Sequence, residues 1–128
     1  MKLLLDTHVF LWLRFAPEKL SQPALAAYQN KQNQAYLSLA SILEMQIKQQ
    51  LGKLELDIEL SELVQKQCEH NDIQLLPITL THILNLQTLP FHHKDPFDRL
   101  LISQANSENM TLLTVDALFS NYDVQILW

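Results

Sequence analysis

Apolar residues fall in short runs, most of which end on an acid or a turn signal, and longer stretches with helical spacing lie between them. Lys2-Leu3-Leu4-Leu5 stops at Asp6, and Thr7–Phe15 then brings Val9, Phe10, Trp12 and Leu13 round near the helix period, so a buried strand followed by a helix is expected. Ser21 with Pro23 two places later has the grammar of an N-cap and an early proline, with Leu25, Ala26 and Tyr28 on the face that follows. Ala35–Ser38 predicts a second strand. From Ala40 the positions Leu43, Ile47 and Leu51 recur every four residues, and Gly52 stands where a left-handed helix stop is wanted. Asp57 is placed to cap a helix carrying Leu60, Leu63, Val64 and Cys68, which Asn71-Asp72 ends. Ile73–Ile78 predicts a third strand with Pro77 near its end, and Thr79 and Thr81 open a short helix through Leu89. Asp95-Pro96-Phe97-Asp98 reads as N-cap, N1 and N3 of a helix that runs on through Leu101, Ile102 and Ala105. Thr111–Val115 is the most strand-like run and stops at Asp116, after which Ala117–Ser120 predicts a short helix before Val124–Leu127.

Strands alternating with helices predict βαβ units, and hence an α/β protein with a central parallel sheet covered on both faces, a three-layer α/β/α arrangement. The 128 residues, 48% of them hydrophobic and 18% charged, fit one domain spanning 1–128 with its own core. A single glycine, Gly52, excludes the glycine-built phosphate cradles, which need several positions without a Cβ. With only Cys68 there is no internal disulfide and no cysteine zinc site, so a reducing compartment, the cytoplasm, is expected. Met1–Arg14 is apolar enough to raise the question of a signal peptide, but Asp6 interrupts it and no small-residue cleavage site follows. No stretch approaches the roughly 18 apolar residues of a membrane helix, so no membrane partner is expected.

In open parallel sheets, ligands bind outside the carboxyl ends of the strands. Asp6 and Asp116 each follow an apolar strand directly and so belong on that edge. Asp98 in the first turn of one helix and Glu44 about a turn into another can face the same crevice. Carboxylates brought that close repel one another unless a cation lies between them, and hard oxygen donors suit Mg²⁺ or Mn²⁺. A divalent ion with open coordination positions can polarise a phosphodiester and activate water, so metal-dependent phosphodiester hydrolysis is the chemistry favoured. Each acid also has an ordinary structural role to weigh against this one. Asp6 and Asp116 can cap the helices that follow them, Asp98 can be an N3 acid favoured by the helix dipole, and Glu44 can pair with Lys48 on a solvated face.

Other constellations carry less. His92 and His93 are adjacent, cannot share a helix face and are expected to be exposed loop histidines; Cys68 is expected in the core. No G-x-S-x-G elbow is possible with one glycine, and Asp6-Thr7-His8 lacks the second acid of a D-x-D phosphotransferase.

Four segments carry a family likeness in order: Leu3-Leu4-Leu5-Asp6-Thr7-His8, Ser41–Lys48 running to Leu51-Gly52-Lys53-Leu54, His93–Ile102, and Thr111–Asp116. Together, over essentially the whole chain, they resemble the blocks of PIN-domain proteins of the VapC toxin type. The resemblance implies a PIN-like fold, a Mg²⁺- or Mn²⁺-dependent endoribonuclease, a cognate antitoxin that inhibits it, and a homodimer. It carries the family's acidic positions onto Asp6, Glu44, Asp98 and Asp116, the four that the strand-edge argument selects. It also puts a supporting hydroxyl at Thr114. Asp6 and Asp98 are expected to ligate the metal directly, with Asp116 and Glu44 completing the site directly or through water. Arg99, Lys48 and Lys53 are candidate contacts to RNA phosphates, with ordinary surface charge as the alternative for each.

The net charge of −5, from nine basic against 14 acidic residues, opposes sequence-independent RNA binding. Either bound metal bridges the site to RNA, a structured RNA is read through a limited surface, or a basic antitoxin segment covers the acids. Besides the toxin nuclease, three alternatives stand: an inactive PIN-like interaction module, an RNA-processing nuclease outside any toxin-antitoxin pair, and a phosphate-transfer receiver or phosphatase that forms an acyl-phosphate on Asp6.

Overall fold

Five parallel strands, in the order β3-β2-β1-β4-β5, form the middle of a computed structural model that describes residues 1–128. They are β1 (Lys2–Leu5), β2 (Gln34–Ser38), β3 (Gln74–Leu76), β4 (Thr111–Leu113) and β5 (Ile126–Leu127). The chain starts in the centre of the sheet, steps outward through β2 and β3, then returns to the other side of β1 for β4 and β5. The sheet therefore has a topological switch point between β1 and β4, where Leu3 pairs with Thr111 and Leu5 with Leu113.

The alternation of side chains sends Leu5, Ala35, Leu37 and Leu113 to one face, and Leu4, Leu76 and Leu112 to the other. The first face is covered by α1 (Thr7–Phe15), α2 (Gln22–Gln29), α3 (Leu39–Gln50) and α4 (Leu60–Asn71), through Val9, Phe10, Ala24, Met45 and Leu63. The second is covered mainly by α6 (Pro96–Glu108), with Leu101, Ile102 and Ala105 packed beside Phe119 and Tyr122. A short α5 (Leu80–Leu84) lies against α6. This is the expected three-layer α/β/α architecture, and no helix is long and apolar enough to cross a membrane.

Local chemistry sets the helix ends. Ser21 accepts from the Ala24 amide and Asp95 from those of Phe97 and Asp98, both as expected. Gly52 follows α3 at φ +72°, with the amides of Lys53 and Leu54 returned to the Lys48 carbonyl. Asp57 does not cap α4; that helix starts at Leu60 with Glu59 at its N-cap, and it ends on Asp72 in the left-handed region. Cys68 is half-buried on α4 and not part of the core. Ser38 caps α3 by accepting from the Ala40 amide at 3.0 Å and donates to Gln104 Oε1 on α6 at 2.6 Å. That pair ties the helix of Glu44 to the helix of Asp98 beneath the sheet edge.

Candidate metal centre

Because β1, β2 and β4 run in the same direction, Asp6, the start of α3 and the Thr114–Asp116 segment emerge along one edge. Asp6 is the first residue past β1, and its amide donates to the Leu113 carbonyl, 3.1 Å away. It occupies the N-cap position of α1, yet its side chain caps nothing. The carboxylate is 5% exposed, and its Oδ2 accepts from Thr114 Oγ1 at 2.8 Å across the switch point. Helix capping thus fails as an account of Asp6, and Thr114 stands where a supporting hydroxyl was expected. Asp116 does both jobs, since Oδ1 accepts from the Leu118 amide and Oδ2 faces the cluster.

Glu44 is 4% exposed, so it does not belong to a solvated face. Lys48 does pair with it at i,i+4, Nζ to Oε2 at 2.7 Å, while Thr7 Oγ1 donates to Oε1 at 2.8 Å. Thr7, in the first turn of α1, was not singled out in the sequence. The signal was its place directly after Asp6, on the turn that faces α3.

Asp98 receives the combined field. Burial is the largest cause that raises its carboxyl, and the negative charges of Asp6, Asp95, Glu44 and Asp116 push the same way, up to about 8. Asp6 is also raised, by burial first, against the lowering effect of the Thr114 hydrogen bond. Asp6, Glu44 and Asp116 therefore all bear on Asp98, and Asp95 adds to them while its Oδ1 caps α6.

The loop before α6 departs from the sequence reading at His93. His92 is exposed and lies edge-on to Tyr122, but the His93 side chain is only 13% exposed and turns inward. Its Nε2 is 2.8 Å from Asp98 Oδ2 and 3.5 Å from Asp116 Oδ2. One ligand-type atom from each of His93, Asp98 and Asp116 falls within 4.8 Å of the other two. Adjacent histidines are uninformative as a pattern, and what sets His93 apart is its distance of five residues from Asp98 across an Asp-Pro helix start.

Arg99 is corrected in the opposite sense. It is buried, and its guanidinium donates to the carbonyls of Pro90, Leu86 and Leu89, with Tyr122 Oη at 3.4 Å and the Phe91 ring stacked 4.2 Å from Cζ. Those contacts commit the side chain to holding the loop, which leaves no fork for a phosphate. Lys53 is exposed in the turn after α3, at the end of that helix remote from the sheet edge, and does not join the cluster. Only Lys48 of the three basic candidates stands beside the carboxylates.

Buried Asp6 and Glu44, with the half-buried Asp98 and Asp116, gather at the switch point of a parallel sheet and define an α/β/α protein with an acidic cluster at its carboxyl edge. The family follows from the sequence itself: residues 3–125 match the PIN domain model, and the chain belongs to the PIN-domain family of nucleases. No curated protein matches the chain. Among solved structures, it is similar to VapBC2 from Rickettsia felis bound to a DNA fragment from its promoter (TM-score 0.73, 16% identity, covering 99% of this chain and 98% of that one). It is also similar to VapBC-1 from nontypeable Haemophilus influenzae (0.68, 16%, 99% and 97%). A third is VapBC-5 from Mycobacterium tuberculosis, a member of the VapBC family of toxin-antitoxin systems (0.62, 16%, 98% and 97%). At these identities the likeness is one of fold.

Proposed function

We propose that the protein is a Mg²⁺- or Mn²⁺-dependent endoribonuclease that acts as the toxin of a toxin-antitoxin pair. The observation that carries the reading is the convergence of Asp6, Glu44, Asp98 and Asp116 on one edge of the sheet, a crowding that Asp98 registers most. A carboxyl pushed up to about 8 by burial and four neighbouring acids is a group that gains its charge when a cation arrives. The donor set fits such an ion, because it offers hard carboxylate oxygens at a partly open edge. Asp6 and Asp98 hold it directly, with Asp116 as a third ligand, and Glu44, each of whose oxygens already accepts one hydrogen bond, completes the site directly or through water.

When bound, the cation supplies charge to the scissile phosphate and to the leaving oxygen during in-line attack by water. The chain's own residues do the rest. Thr114 fixes the Asp6 carboxylate, Thr7 and Lys48 fix Glu44, and Lys48, half-exposed, lies where a phosphate oxygen can share its ammonium group. With a net charge of −5, affinity for RNA depends on the cation first. The toxin role, and with it an inhibiting antitoxin, draws support from the three solved relatives, all VapBC proteins, one of them a member of a family of toxin-antitoxin systems. Exposed Leu39, Leu43, Ile47 and Leu51 along one side of α3 support a homodimer. Cytoplasmic residence accords with the single, unpaired cysteine.

The test is cleavage of RNA with Mg²⁺ or Mn²⁺ by the wild type, Asp6→Asn and Asp98→Asn. Both variants are expected to be inactive, and cleavage that survives chelator, or both substitutions, removes the metal mechanism. Growth arrest on expression, relieved by co-expressing a small neighbouring gene product, separates a toxin from an RNA-processing nuclease. Metal uptake without cleavage of any RNA would favour the inactive interaction module.

A further inference from the structure

The acid cluster accounts for its carboxylates but not for the imidazole that faces two of them. Three contacts hold the His93 ring in place. Its backbone amide donates to Tyr122 Oη at 2.8 Å, its ring packs edge-on against Phe119 with centroids 6.0 Å apart, and its Nδ1 accepts from the Asp95 amide at 3.3 Å. On the other side of the ring, Nε2 is buried 2.8 Å from Asp98 Oδ2 and 3.5 Å from Asp116 Oδ2. Neither contact has hydrogen-bond alignment, which leaves Nε2 a buried polar atom shared between two acceptors and committed to neither.

A neutral imidazole carries one N–H. With Nδ1 accepting the Asp95 amide, the proton resides on Nε2. A histidine that ligates a metal has the reverse arrangement, its bare nitrogen on the ion and its other N–H donated to a carboxylate or carbonyl. We infer that His93 is a positioning residue: its Nε2–H lies between Asp98 and Asp116, holds their Oδ2 oxygens toward one another, and leaves Asp98 Oδ1 to the cation while Asp116 Oδ1 caps the short helix at Ala117–Asn121.

The inference rests on the reading of the site as a divalent-cation centre, and the residues explain why such a bridge is useful. Oδ2 of Asp98 and Oδ2 of Asp116 both face the one nitrogen, and a positively polarised N–H between them offsets part of the repulsion that arises once the cation has displaced the Asp98 proton. Asp95 ties the bridge to the helix, because its carboxylate caps α6 while its amide sets the ring's tautomer. The sequence Asp-Pro-Phe-Asp thus places a ligand and also aims the group that orients it.

Mn²⁺ is the probe, with the wild type, His93→Ala and His93→Gln, whose carboxamide can place an N–H near the position of Nε2. Mn²⁺ dissociation constants from EPR titration are expected to rise roughly 10–100-fold in His93→Ala and to recover most of that in His93→Gln. The wild-type Mn²⁺ spin-echo spectrum is expected to lack a directly bonded nitrogen. A directly coordinated ¹⁴N that disappears in His93→Ala makes His93 a ligand and overturns the bridge, as do equal Mn²⁺ affinities in all three proteins. A metal-free arm separates this inference from the cation reading: long-range ¹H–¹⁵N spectra are expected to show His93 protonated at Nε2 and bare at Nδ1. A protonated Nδ1 overturns the bridge whatever the metal does, whereas a wild type that takes up no Mn²⁺ yet shows the expected tautomer refutes the cation reading.

Discussion

Thr114 Oγ1 and Asp6 Oδ2, 108 residues apart in sequence, meet at 2.8 Å across the switch point between β1 and β4. The same hydroxyl oxygen accepts from the Asp116 amide at 3.1 Å, so one side chain orients acids at the ends of two strands. Thr114→Val keeps the shape and removes the hydroxyl. It leaves the buried Asp6 carboxylate one donor short, at a cost of about 1–3 kcal/mol in stability, and weakens metal affinity or activity roughly 10–100-fold. Thr114→Ser is expected to restore both. Urea unfolding and Mn²⁺ titration of the two variants check this, and full metal affinity in Thr114→Val would show that Asp6 does not need the hydroxyl.

The raised Asp98 carboxyl links stability to pH with a definite sign. Its folded-state value of about 8 lies above the ordinary 3.8, so the folded protein binds the proton more tightly than the unfolded chain does. Stability of the metal-free protein is therefore fully present below pH about 4 as far as this group is concerned, and is lost as the pH rises through about 8. Asp6, raised as well, acts in the same direction. In chelator the melting temperature is expected to fall between about pH 5 and about pH 9, and Asp98→Asn is expected to flatten that fall. Because the cation displaces the Asp98 proton, the Mg²⁺-induced rise in melting temperature should grow over the same range. A melting temperature in chelator that climbs with pH would contradict the crowding of these acids.

The strands and helix ends were legible because each rests on a local rule. Leu3-Leu4-Leu5 against Asp6, Gly52 at a left-handed stop and Asp95-Pro96 at a helix start are statements about a few neighbouring residues. Asp6 and Asp116 were legible because a parallel sheet collects what directly follows its strands on one edge, and Glu44 and Asp98 because each stands early in a helix that can open toward that edge. His93 and Arg99 were not, since their roles depend on which way a loop folds back. That loop is closed by Tyr122, whose Oη accepts from the His93 amide and donates to the Pro90 carbonyl. A residue 29 positions from His93, on another element, decides which neighbours of the Asp-Pro-Phe-Asp segment face the acids and which face inward. Asp57 failed for a smaller reason: the N-cap falls two residues later, at Glu59, and the helix starts at Leu60.

Arg99 gives that loop a measurable test. Its guanidinium satisfies the carbonyls of Leu86, Leu89 and Pro90 in one plane, a fork that a lysine ammonium cannot reproduce. Arg99→Lys is expected to cost about 1–3 kcal/mol in urea unfolding, and Arg99→Ala more, through the lost packing of its stem and of Phe91 above it. Where the Arg99→Lys variant remains folded, its KM for RNA is expected to match the wild type. A raised KM with unchanged stability would return Arg99 to the phosphate.

Lys48 differs from Arg99 in being half-exposed, and its charge serves two states of the site. Without metal it is the one cation in hydrogen-bonding contact with Glu44, whose burial leaves it otherwise only the Thr7 hydroxyl. Lys48→Met removes the countercharge and keeps most of the stem. The metal-free protein is expected to lose about 1 kcal/mol, a value discounted for the solvent that reaches Nζ. Saturating Mg²⁺ supplies positive charge at the same acids, so the deficit between variant and wild type should shrink as Mg²⁺ is added, which thermal unfolding across a Mg²⁺ titration measures directly. With the site saturated, any remaining effect belongs to RNA. A KM raised severalfold at unchanged kcat marks Lys48 as a contact to substrate phosphate, whereas unchanged kinetics restrict it to holding Glu44 before the cation binds.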